Sequence, residues 1–298
     1  MSFGITLRIM SYNRPDYLKE ALDSAFDQTV PFDSIEVYDN GSRPEVLRFL
    51  DEYGRGIKIR KFSPNSKTTW ECAFGDSCKS DFLCVFHDDD VLYQSFVLAS
   101  LAAFRANPGL AAHSCNGVRI DPSGSPGHSL FPNLDRDISL RSAPELAFWC
   151  LDRCVPFGPT VYRQDSYLQE RLSSVWCYGR SADIAFQFLL LRDGQILLSK
   201  TPLYGCRVHG ENDSHNLGFA EFEEVSRIFD ENLSQYPAQR NEICLIRSRQ
   251  YLEKWLNAWL AGEPKLPRFP FSHVSIAGLH RFARNQKLKI LRKLIGAL

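Results

Sequence analysis

The chain has 298 residues, with 35 Lys plus Arg against 35 Asp plus Glu, a length that allows one large or two small domains with a sizeable core. The formal net charge of zero argues against a dedicated nucleic-acid-binding protein, which has to neutralise phosphates. No apolar stretch reaches the ~18 residues needed to span a bilayer, so a globular chain is expected.

The first third of the chain alternates between strand and helix patterns. Short apolar runs predict strands at residues 5–10, 34–38, 57–62 and 82–86. Apolar residues at helical spacing predict helices at residues 15–27, 44–53 and 69–79. This alternation is typical of βαβ units, which form a parallel sheet with right-handed crossovers.

Polar clusters follow three of these predicted strands, at residues 12–14, 39–42 and 88–90. Ligands of parallel sheets bind outside the carboxyl ends of the strands. We therefore expect the three clusters to lie on one rim of the sheet, which is the candidate site.

The pattern is looser in the remainder of the chain. Strands are predicted at residues 110–120, 155–162, 195–199 and 203–208. Helices are predicted at residues 93–106, 143–151, 181–192 and 219–261. Two Pro and two Gly at residues 121–127 predict a loop, and residues 262–267 are typical of a linker.

The C-terminal tail is strongly basic. Eight Lys or Arg and no acidic residue follow Glu263, which leaves 27 basic against 35 acidic residues in residues 1–263. Apolar residues share one helical face in the tail: Leu288, Leu291, Leu294, Ile295 and Leu298. Such a helix suits docking on an anionic membrane surface, and it equally suits packing on the rest of the protein.

Nine cysteines occur without a CxxC pair, and the first ten residues contain no secretion signal. Reduced thiols are expected rather than disulfides or a zinc site. The predicted location is the cytoplasm, with peripheral association at the inner face of the membrane through the tail as a further expectation.

Three consecutive carboxylates, Asp88, Asp89 and Asp90, end the most apolar predicted strand. Like charges this close repel one another unless a cation lies between them. Their hard oxygen ligands suit Mg²⁺ or Mn²⁺ together with a diphosphate. The alternative is a solvated helix N-terminus, where Asp is also favoured.

Four segments, in this order, resemble the family 2 glycosyltransferases. They are ITLRIMSYNRPDYLKEALDSAFDQT, IEVYDNGS, FLCVFHDDDVL, and SADIAFQFLL followed by PLYGCRVHGENDS. The resemblance covers roughly residues 5–215. It implies an α/β protein of the GT-A fold, with a doubly wound, mostly parallel sheet flanked by helices and a helical C-terminal extension.

The resemblance also implies a nucleotide site. Family members bind the base and ribose at the first two strand ends, which correspond here to Ser11, Tyr12, Arg14 and Asp39. Asp39 is then the acceptor for a base N–H, which fits a pyrimidine. Lys67 stands where many relatives have a Gly- and Arg-bearing helix start, and is a candidate phosphate contact. The nearby Trp70 either stacks on a ring or fills the core.

The DXD-type aspartates of the family bridge the ribose and the metal, which implies Asp88 and Asp90. The commoner motif pattern D-x-D-D would instead place His87 at the first aspartate and make Asp89 the chief metal ligand, so all three aspartates stay candidates.

The family's R-x-H element corresponds to Arg207 and His209. This match implies that both lie near the diphosphate, and that His209 is a candidate metal ligand.

The family's general base is an aspartate in an E-D pair, which implies Asp183, although Ala182 replaces the usual Glu.

The implied reaction is metal-dependent transfer of a sugar from a nucleotide-sugar, preferably a UDP-sugar, to an acceptor hydroxyl, with inversion of the anomeric centre. The implied role is in bacterial-type surface polysaccharide or glycan assembly. A glycan or lipid-linked glycan is the expected acceptor. Alternatives are a retaining transferase, a nucleotidyltransferase, or an inactive nucleotide- or carbohydrate-binding module.

The expected organisation is a catalytic domain at residues 1–215, with a nucleotide-sugar half to about residue 107 and an acceptor half from about residue 108. A helical extension is expected at residues 216–262, followed by the linker and basic helix at residues 263–298. Loops at residues 121–136 and 156–160 are expected to shape the acceptor side.

Overall fold

The computed structural model describes residues 3–164, 168–210 and 218–260. The chain divides into two compact units, one made of Met1–Ser142 with Val155–His215 and the other of Ala143–Cys154 with Asn216–Leu298. The predicted basic tail at residues 263–298 lies outside the described residues. The functional division into nucleotide and acceptor halves stays a prediction.

The N-terminal part of the first unit is a parallel sheet covered by helices. Its strands are β1 (Ile5–Ser11), β2 (Ser34–Asp39), β3 (Lys58–Lys61) and β4 (Phe82–His87), in the order β3-β2-β1-β4. Its connecting helices are α1 (Pro15–Phe26), α2 (Pro44–Tyr53) and α3 (Ser66–Gly75). Every residue of β1 is buried, as expected for a central strand that is covered on both faces.

Beyond β4 the sheet is mixed, with both parallel and antiparallel strand pairs. The added strands are β5 (Val91–Leu92), β6 (Leu110–Ile120), β7 (Pro126–Ser129), β8 (Ile138–Leu140), β9 (Val161–Arg163) and β10 (Gln195–Arg207). β9 pairs antiparallel with β4 and β6, and β6 pairs parallel with β10. The helices here are α4 (Phe96–Ala106), α6 (Leu168–Val175), a 3₁₀ helix (Trp176–Ser181) and α7 (Ala182–Leu190).

Three predicted strands differ in the structure. The strand predicted at residues 155–162 is formed only at Val161–Arg163, and the residues before it are irregular. The two strands predicted at residues 195–199 and 203–208 are one strand, β10, whose register against β6 shifts on both sides of Pro202. A proline that cannot donate to the ladder is tolerated at such a bulge, so the pattern breaks there while the strand continues.

β3 is an outer strand of the sheet. Its three basic residues are exposed and pair with acidic residues of neighbouring elements: Lys58 with Glu36, Arg60 with Asp76, and Lys61 with Asp51. The edge of the sheet is therefore charged rather than apolar.

A buried histidine links α4 to the sheet. His113 Nδ1 lies 3.1 Å from Ser100 Oγ, and Nε2 lies 2.9 Å from Ser199 Oγ. Ser100 Oγ already donates to the carbonyl of Phe96, so it accepts from Nδ1–H, and Nε2 accepts from Ser199. Burial of this neutral ring lowers the pKa of His113 to about 4.

The second unit contains α5 (Ala143–Trp149), α8 (Phe219–Asn232) and α9 (Pro237–Leu260). Arg247 of α9 lies over the ring of Phe222, 3.4 Å from its centroid, and donates to the carbonyl of the same residue. Within the described residues, no helix is both long and apolar enough to cross a bilayer.

Candidate active site

The carboxyl ends of β1, β2 and β4 meet at one edge of the sheet. Ser11 is in register with Asp39, and Met10 is in register with His87. The chain leaves β1 beside the acidic residues that follow β4, and the backbone N–H of Tyr12 donates to Asp88 Oδ2 at 2.8 Å. The three polar clusters predicted at strand ends therefore lie together.

The turn after β1 is anchored to the turn after β2. Asn13 has a φ of 58°, the only positive φ of a non-glycine residue in the described chain. Its backbone N–H donates to Ser42 Oγ at 3.0 Å, and its side-chain Oδ1 accepts from Arg43 N–H at 2.8 Å. These bonds hold the turn in a sparsely populated conformation. They therefore fix the backbone positions of the neighbouring residues Tyr12 and Arg14.

Asp39 is buried at the end of β2, and only one of its two carboxylate oxygens accepts hydrogen bonds from the described residues. Its Oδ2 accepts from the backbone N–H groups of Gly41 and Ser42 at 3.1 and 3.0 Å. Its Oδ1 and the hydroxyl of Ser11 are both buried and have no hydrogen-bond partner among the described residues. Buried polar atoms are nearly always paired, so these two adjacent oxygens are available to a ligand group or a water molecule.

Tyr12 and Lys67 lie near this corner. Tyr12 is 49% exposed, which leaves its ring accessible. Lys67 is exposed in the first turn of α3, whose start is held to the end of β2 because Asn40 Oδ1 accepts from Asn65 N–H and Thr69 Oγ1. Tyr12 and Lys67 therefore lie on elements bordering Asp39, and their assigned roles stay predictions.

The three aspartates are buried together. Arg14 lies between the first two, with Nη1 at 3.2 Å from Asp88 Oδ1 and 2.9 Å from Asp89 Oδ2. His209 Nε2 lies 3.0 Å from the same Asp89 Oδ2. Asp90 Oδ1 accepts from the backbone N–H of Arg207 at 2.9 Å. The structure thus brings together the predicted residues from the ends of β1, β4 and β10.

The three carboxyl groups have different pKa values because their surroundings differ. Burial raises the pKa of Asp88 to about 7 and, with the negative charge of Asp89, raises that of Asp90 to about 8. Burial also opposes ionisation of Asp89, but His87, His209 and Arg14 hold its pKa below the ordinary value. Asp89 is therefore the anionic centre of the cluster, and the cluster favours added positive charge.

Arg207 is fully buried and bonded on all sides. Its Nε donates to the carbonyl of Asp89 at 2.8 Å, and its Nη atoms donate to the carbonyls of Asp121 and Pro122 and to Glu20. The guanidinium also lies over the ring of Tyr17, 4.5 Å from its centroid. These contacts support the backbone of the acidic cluster, and the predicted contact of Arg207 with a diphosphate stays a prediction.

Asp183 lies at the start of α7 and is partly buried. Its Oδ1 accepts from the backbone N–H of Ile184 at 2.8 Å, and burial raises its pKa to about 6. A carboxylate with such a pKa is ionised at neutral pH and still able to take a proton, as a general base must.

An aromatic cluster lies between α7 and the acidic residues. Its ring contacts run from Phe186 to Phe157, from Phe157 to Trp70, and from Trp70 to His87, with centroids 5.9, 5.6 and 5.5 Å apart. Gly158 packs directly against this cluster. A side chain at this position would collide with His87, because a Cβ would lie 2.5 Å from the imidazole. Trp70, for which core and stacking roles were both open, packs in this cluster and stays partly exposed.

The donor chemistry of the acidic cluster fits a hard divalent ion, with carboxylate oxygens from Asp88 and Asp89 and an imidazole nitrogen from His209. The arrangement of the side chains differs from a preformed site. Across residues 3–164, 168–210 and 218–260, no group of three or more His, Cys, Asp or Glu side chains is positioned to hold a metal. Arg14 is paired with Asp88 and Asp89, two of the side chains that would hold such an ion.

Sequence reasoning included Asn13 and Ser42 in the polar clusters of the rim but gave them no role, and the structure shows that they fix the turn. It missed Tyr17 and Glu20 of α1, which contact Arg207. Asn13 precedes Arg-Pro in a turn cluster, which was a usable signal. Tyr17 and Glu20 lie one helical turn apart on a half-exposed face, which gives no such signal.

The family model described as glycosyl transferase family 2 matches residues 6–167, more than half of the chain. The chain belongs to this family. It is therefore a glycosyltransferase, as the sequence motifs predicted. No curated protein sequence matches it.

Solved structures of glycosyltransferases share the fold. TarS residues 1–349 of S. aureus in complex with UDP-GlcNAc is 16% identical, with 89% of this chain and 77% of that chain covered and a TM-score of 0.61. Mannosyltransferase PcManGT of Pyrobaculum calidifontis in complex with GDP-Man and Mn²⁺ is 13% identical, with 96% and 80% covered and a TM-score of 0.58. The predicted GT-A fold, with its mostly parallel sheet and helical C-terminal part, is confirmed.

Proposed function

We propose that this glycosyltransferase takes its sugar from a nucleotide-sugar and transfers it, with inversion, to the hydroxyl of a glycan or lipid-linked glycan. The observation that carries the proposal is the unpartnered Oδ1 of Asp39, buried on the same rim as the Asp88–Asp90 cluster. A base site and a diphosphate site then lie side by side, as the two ends of one nucleotide require.

The chemistry of Asp39 narrows the choice of nucleotide. An ionised carboxylate only accepts hydrogen bonds, so the group it lacks is a donor. Uracil and guanine carry a ring N–H donor at the appropriate edge, whereas adenine and cytosine carry only an exocyclic amino group there. UDP-sugars remain the favoured donors and GDP-sugars the second candidate, in keeping with the UDP-GlcNAc and GDP-Man in the two similar structures.

Asp88, Asp89 and His209 are the residues that would hold Mg²⁺ or Mn²⁺, with Asp90 adjacent to them. When bound, such an ion offsets the negative charge that builds on the leaving diphosphate. The Mn²⁺ in the PcManGT structure supports this assignment. The alternative within the same fold is a nucleotidyltransferase, which would release pyrophosphate.

Asp183 is the proposed general base. It takes the proton of the acceptor hydroxyl as that oxygen bonds to the anomeric carbon, while the bond from this carbon to the diphosphate breaks. A positioned carboxylate typically accelerates such a step by ~10²–10⁴-fold. Attack opposite the leaving group inverts the anomeric centre. A retaining transferase is the alternative, and the anomeric configuration of the product, read by NMR, separates the two.

The proposals for the acceptor and for the cellular location are argued from the sequence alone. A basic amphipathic tail at residues 263–298 favours an acceptor at an anionic membrane surface, such as a lipid-linked glycan at the inner face of a bacterial-type membrane. The surface polysaccharide role is proposed from the family resemblance, and the cytoplasmic location from the nine cysteines, which are expected to be reduced.

The experiment is a thermal-shift series with UDP, GDP and ADP, with and without Mn²⁺, on the wild type and Asp39→Asn. A ligand at 100 times its Kd stabilises the folded protein by ~2.7 kcal/mol. We expect UDP or GDP to raise the Tm and ADP to leave it unchanged. Asp39→Asn keeps an acceptor for Gly41 and Ser42 but places an amide donor against the base, so the shift should disappear.

A shift with all three nucleotides that survives in Asp39→Asn would contradict the assignment of Asp39. A Tm unaffected by every nucleotide would contradict the nucleotide-sugar proposal itself. An Asp39→Asn protein with an unchanged Tm in the absence of nucleotide serves as the control for folding.

A further inference from the structure

The position of Arg14 is set by backbone constraints on both sides. Pro15 begins α1 directly after it, and Arg14 itself has φ −128° and ψ 67°, outside the helical region that a following proline disfavours. Before it, Asn13 is held by Ser42 and Arg43, and Tyr12 N–H is bonded to Asp88. The root of the side chain is therefore fixed beside the aspartates, and its guanidinium end is the part that can move.

That end occupies the oxygens a metal ion would need. Nη1 lies within 3.2 Å of Asp88 Oδ1 and within 2.9 Å of Asp89 Oδ2, in a position where both carboxylates are nearly buried. A guanidinium and a divalent cation cannot share these two oxygens, because their like charges repel strongly at such a distance. The side chain of Arg14 is 27% exposed, so it has a route outward into the site.

We propose that Arg14 and the divalent ion exchange places: the guanidinium pairs with Asp88 and Asp89 in the ligand-free protein and moves to the diphosphate of the nucleotide when the ion binds. This inference rests on the proposed function, and it adds a residue that couples two ligands. The planar guanidinium binds phosphate oxygens in a bidentate manner, so the diphosphate offers Arg14 a partner equal to the one it leaves.

The exchange makes ion and nucleotide binding cooperative. An ion that arrives alone has to displace Arg14 from both carboxylates and brings no acceptor in exchange, whereas an ion that arrives with a nucleoside diphosphate provides Arg14 with new acceptors. By linkage, the factor by which Mn²⁺ tightens nucleotide binding equals the factor by which the nucleotide tightens Mn²⁺ binding. Removing the guanidinium should therefore strengthen binding of the ion alone and reduce the coupling.

The test measures binding of Mn²⁺ alone to the full chain, from the EPR signal of the free aqueous ion. It compares the wild type with Arg14→Gln and Arg14→Ala, so the loss of one variant to misfolding leaves the other. Arg43→Gln is the matched control. Arg43 is exposed and follows the neighbouring turn, and in the described chain its side chain makes no contact with Asp88 or Asp89.

We expect both Arg14 variants to bind Mn²⁺ alone on the order of tenfold more tightly than the wild type, and Arg43→Gln to change by less than about twofold. Calorimetry with UDP, and GDP as second probe, should show that Mn²⁺ tightens nucleotide binding less in the Arg14 variants than in the wild type. Mn²⁺ binding that is unchanged or weaker in both variants overturns the exchange.

The two proposals fail separately. If neither nucleotide binds any form of the protein, the nucleotide-sugar proposal fails, and the Mn²⁺ measurement still decides whether Arg14 competes with the ion. If nucleotide binds and Arg43→Gln strengthens Mn²⁺ binding as much as Arg14→Gln, the effect is one of general charge, and the exchange is overturned.

Discussion

Ser11 and Asp39 are register partners at the carboxyl ends of β1 and β2, and each buries an oxygen that has no hydrogen-bond partner among the described residues. Paired residues of adjacent strands project to the same face of a sheet, so the two oxygens share one environment. A hydroxyl can donate or accept, whereas the carboxylate only accepts. The pair is therefore suited to a ligand edge that carries a donor.

Ser11→Ala should raise the free energy of unfolding of the ligand-free protein by about 1 kcal/mol, because it removes a buried polar group that lacks a partner. The same substitution at Ser80 is the matched control. The Ser80 hydroxyl is bonded to Thr6 and Asp33, so Ser80→Ala should destabilise by about 1–2 kcal/mol. Urea unfolding measures both, and equal destabilisation by the two would contradict the inference.

Asp183→Asn should abolish glycosyl transfer and also stabilise the protein above pH 6. The raised pKa of Asp183, about 6, means that the folded state favours the protonated form, so ionisation at higher pH destabilises the fold. The amide removes this penalty, which is worth up to about 3 kcal/mol at pH 8 and vanishes near pH 4. Denaturant unfolding at the two pH values, with a transfer assay, checks the prediction.

For the same reason, transfer by the wild type should fall as the pH drops through about 6 and Asp183 takes up a proton. Full transfer activity in Asp183→Asn would remove this residue from the role of base.

Arg207→Met should lower the free energy of unfolding by about 3 kcal/mol or more, since it leaves the buried carbonyl of Asp89 and the carboxylate of Glu20 without their partner. Arg119→Met is the control, because Arg119 is exposed on β6 and should change stability by less than about 0.5 kcal/mol. A wild-type Tm for Arg207→Met would show that these contacts contribute nothing.

His113 should make the protein sensitive to acid. Its pKa falls from 6.5 to about 4 on burial, so the unfolded chain binds more protons between these values. Stability is then lost as the pH falls from about 6.5 to about 4, by up to about 3 kcal/mol. His113→Gln should lack this part of the pH dependence, whereas His128→Gln, at an exposed position, should keep it. Parallel slopes in the two variants would exclude His113 as the cause.

The parallel half of the fold could be predicted because local pattern and tertiary burial agree there. β1, β2 and β4 lie within one residue of their predicted ends, and α2 spans Pro44–Tyr53 as predicted. Prolines at the starts of α1 and α2 marked the helix boundaries, because a missing N–H is harmless in the first turn.

The mixed half could not be predicted to the same extent. β9 has three residues and β5 has two, too short to show a period, and their place depends on partners far away in the chain. Pro202 interrupts the apolar pattern of β10 although the strand continues past it as a bulge. Local sequence carries no information about such long-range pairing.

The candidate site shows the same limit. Motif order placed Asp39 and the three aspartates on one rim, because strand ends follow from the pattern. It could not show that Arg14 bonds Asp88 and Asp89 or that Arg207 is fully buried. Those contacts depend on how side chains pack across elements that are more than 70 residues apart in the sequence.

The charged strand β3 has a consequence for self-association. An edge strand with free N–H and C=O groups is a template for another chain, and a second copy that added a strand here would have to desolvate Lys58, Arg60 and Lys61. Growth of the sheet into open-ended aggregates is disfavoured at this side. The three charges that keep this edge in water therefore also keep separate copies of the chain from joining through it.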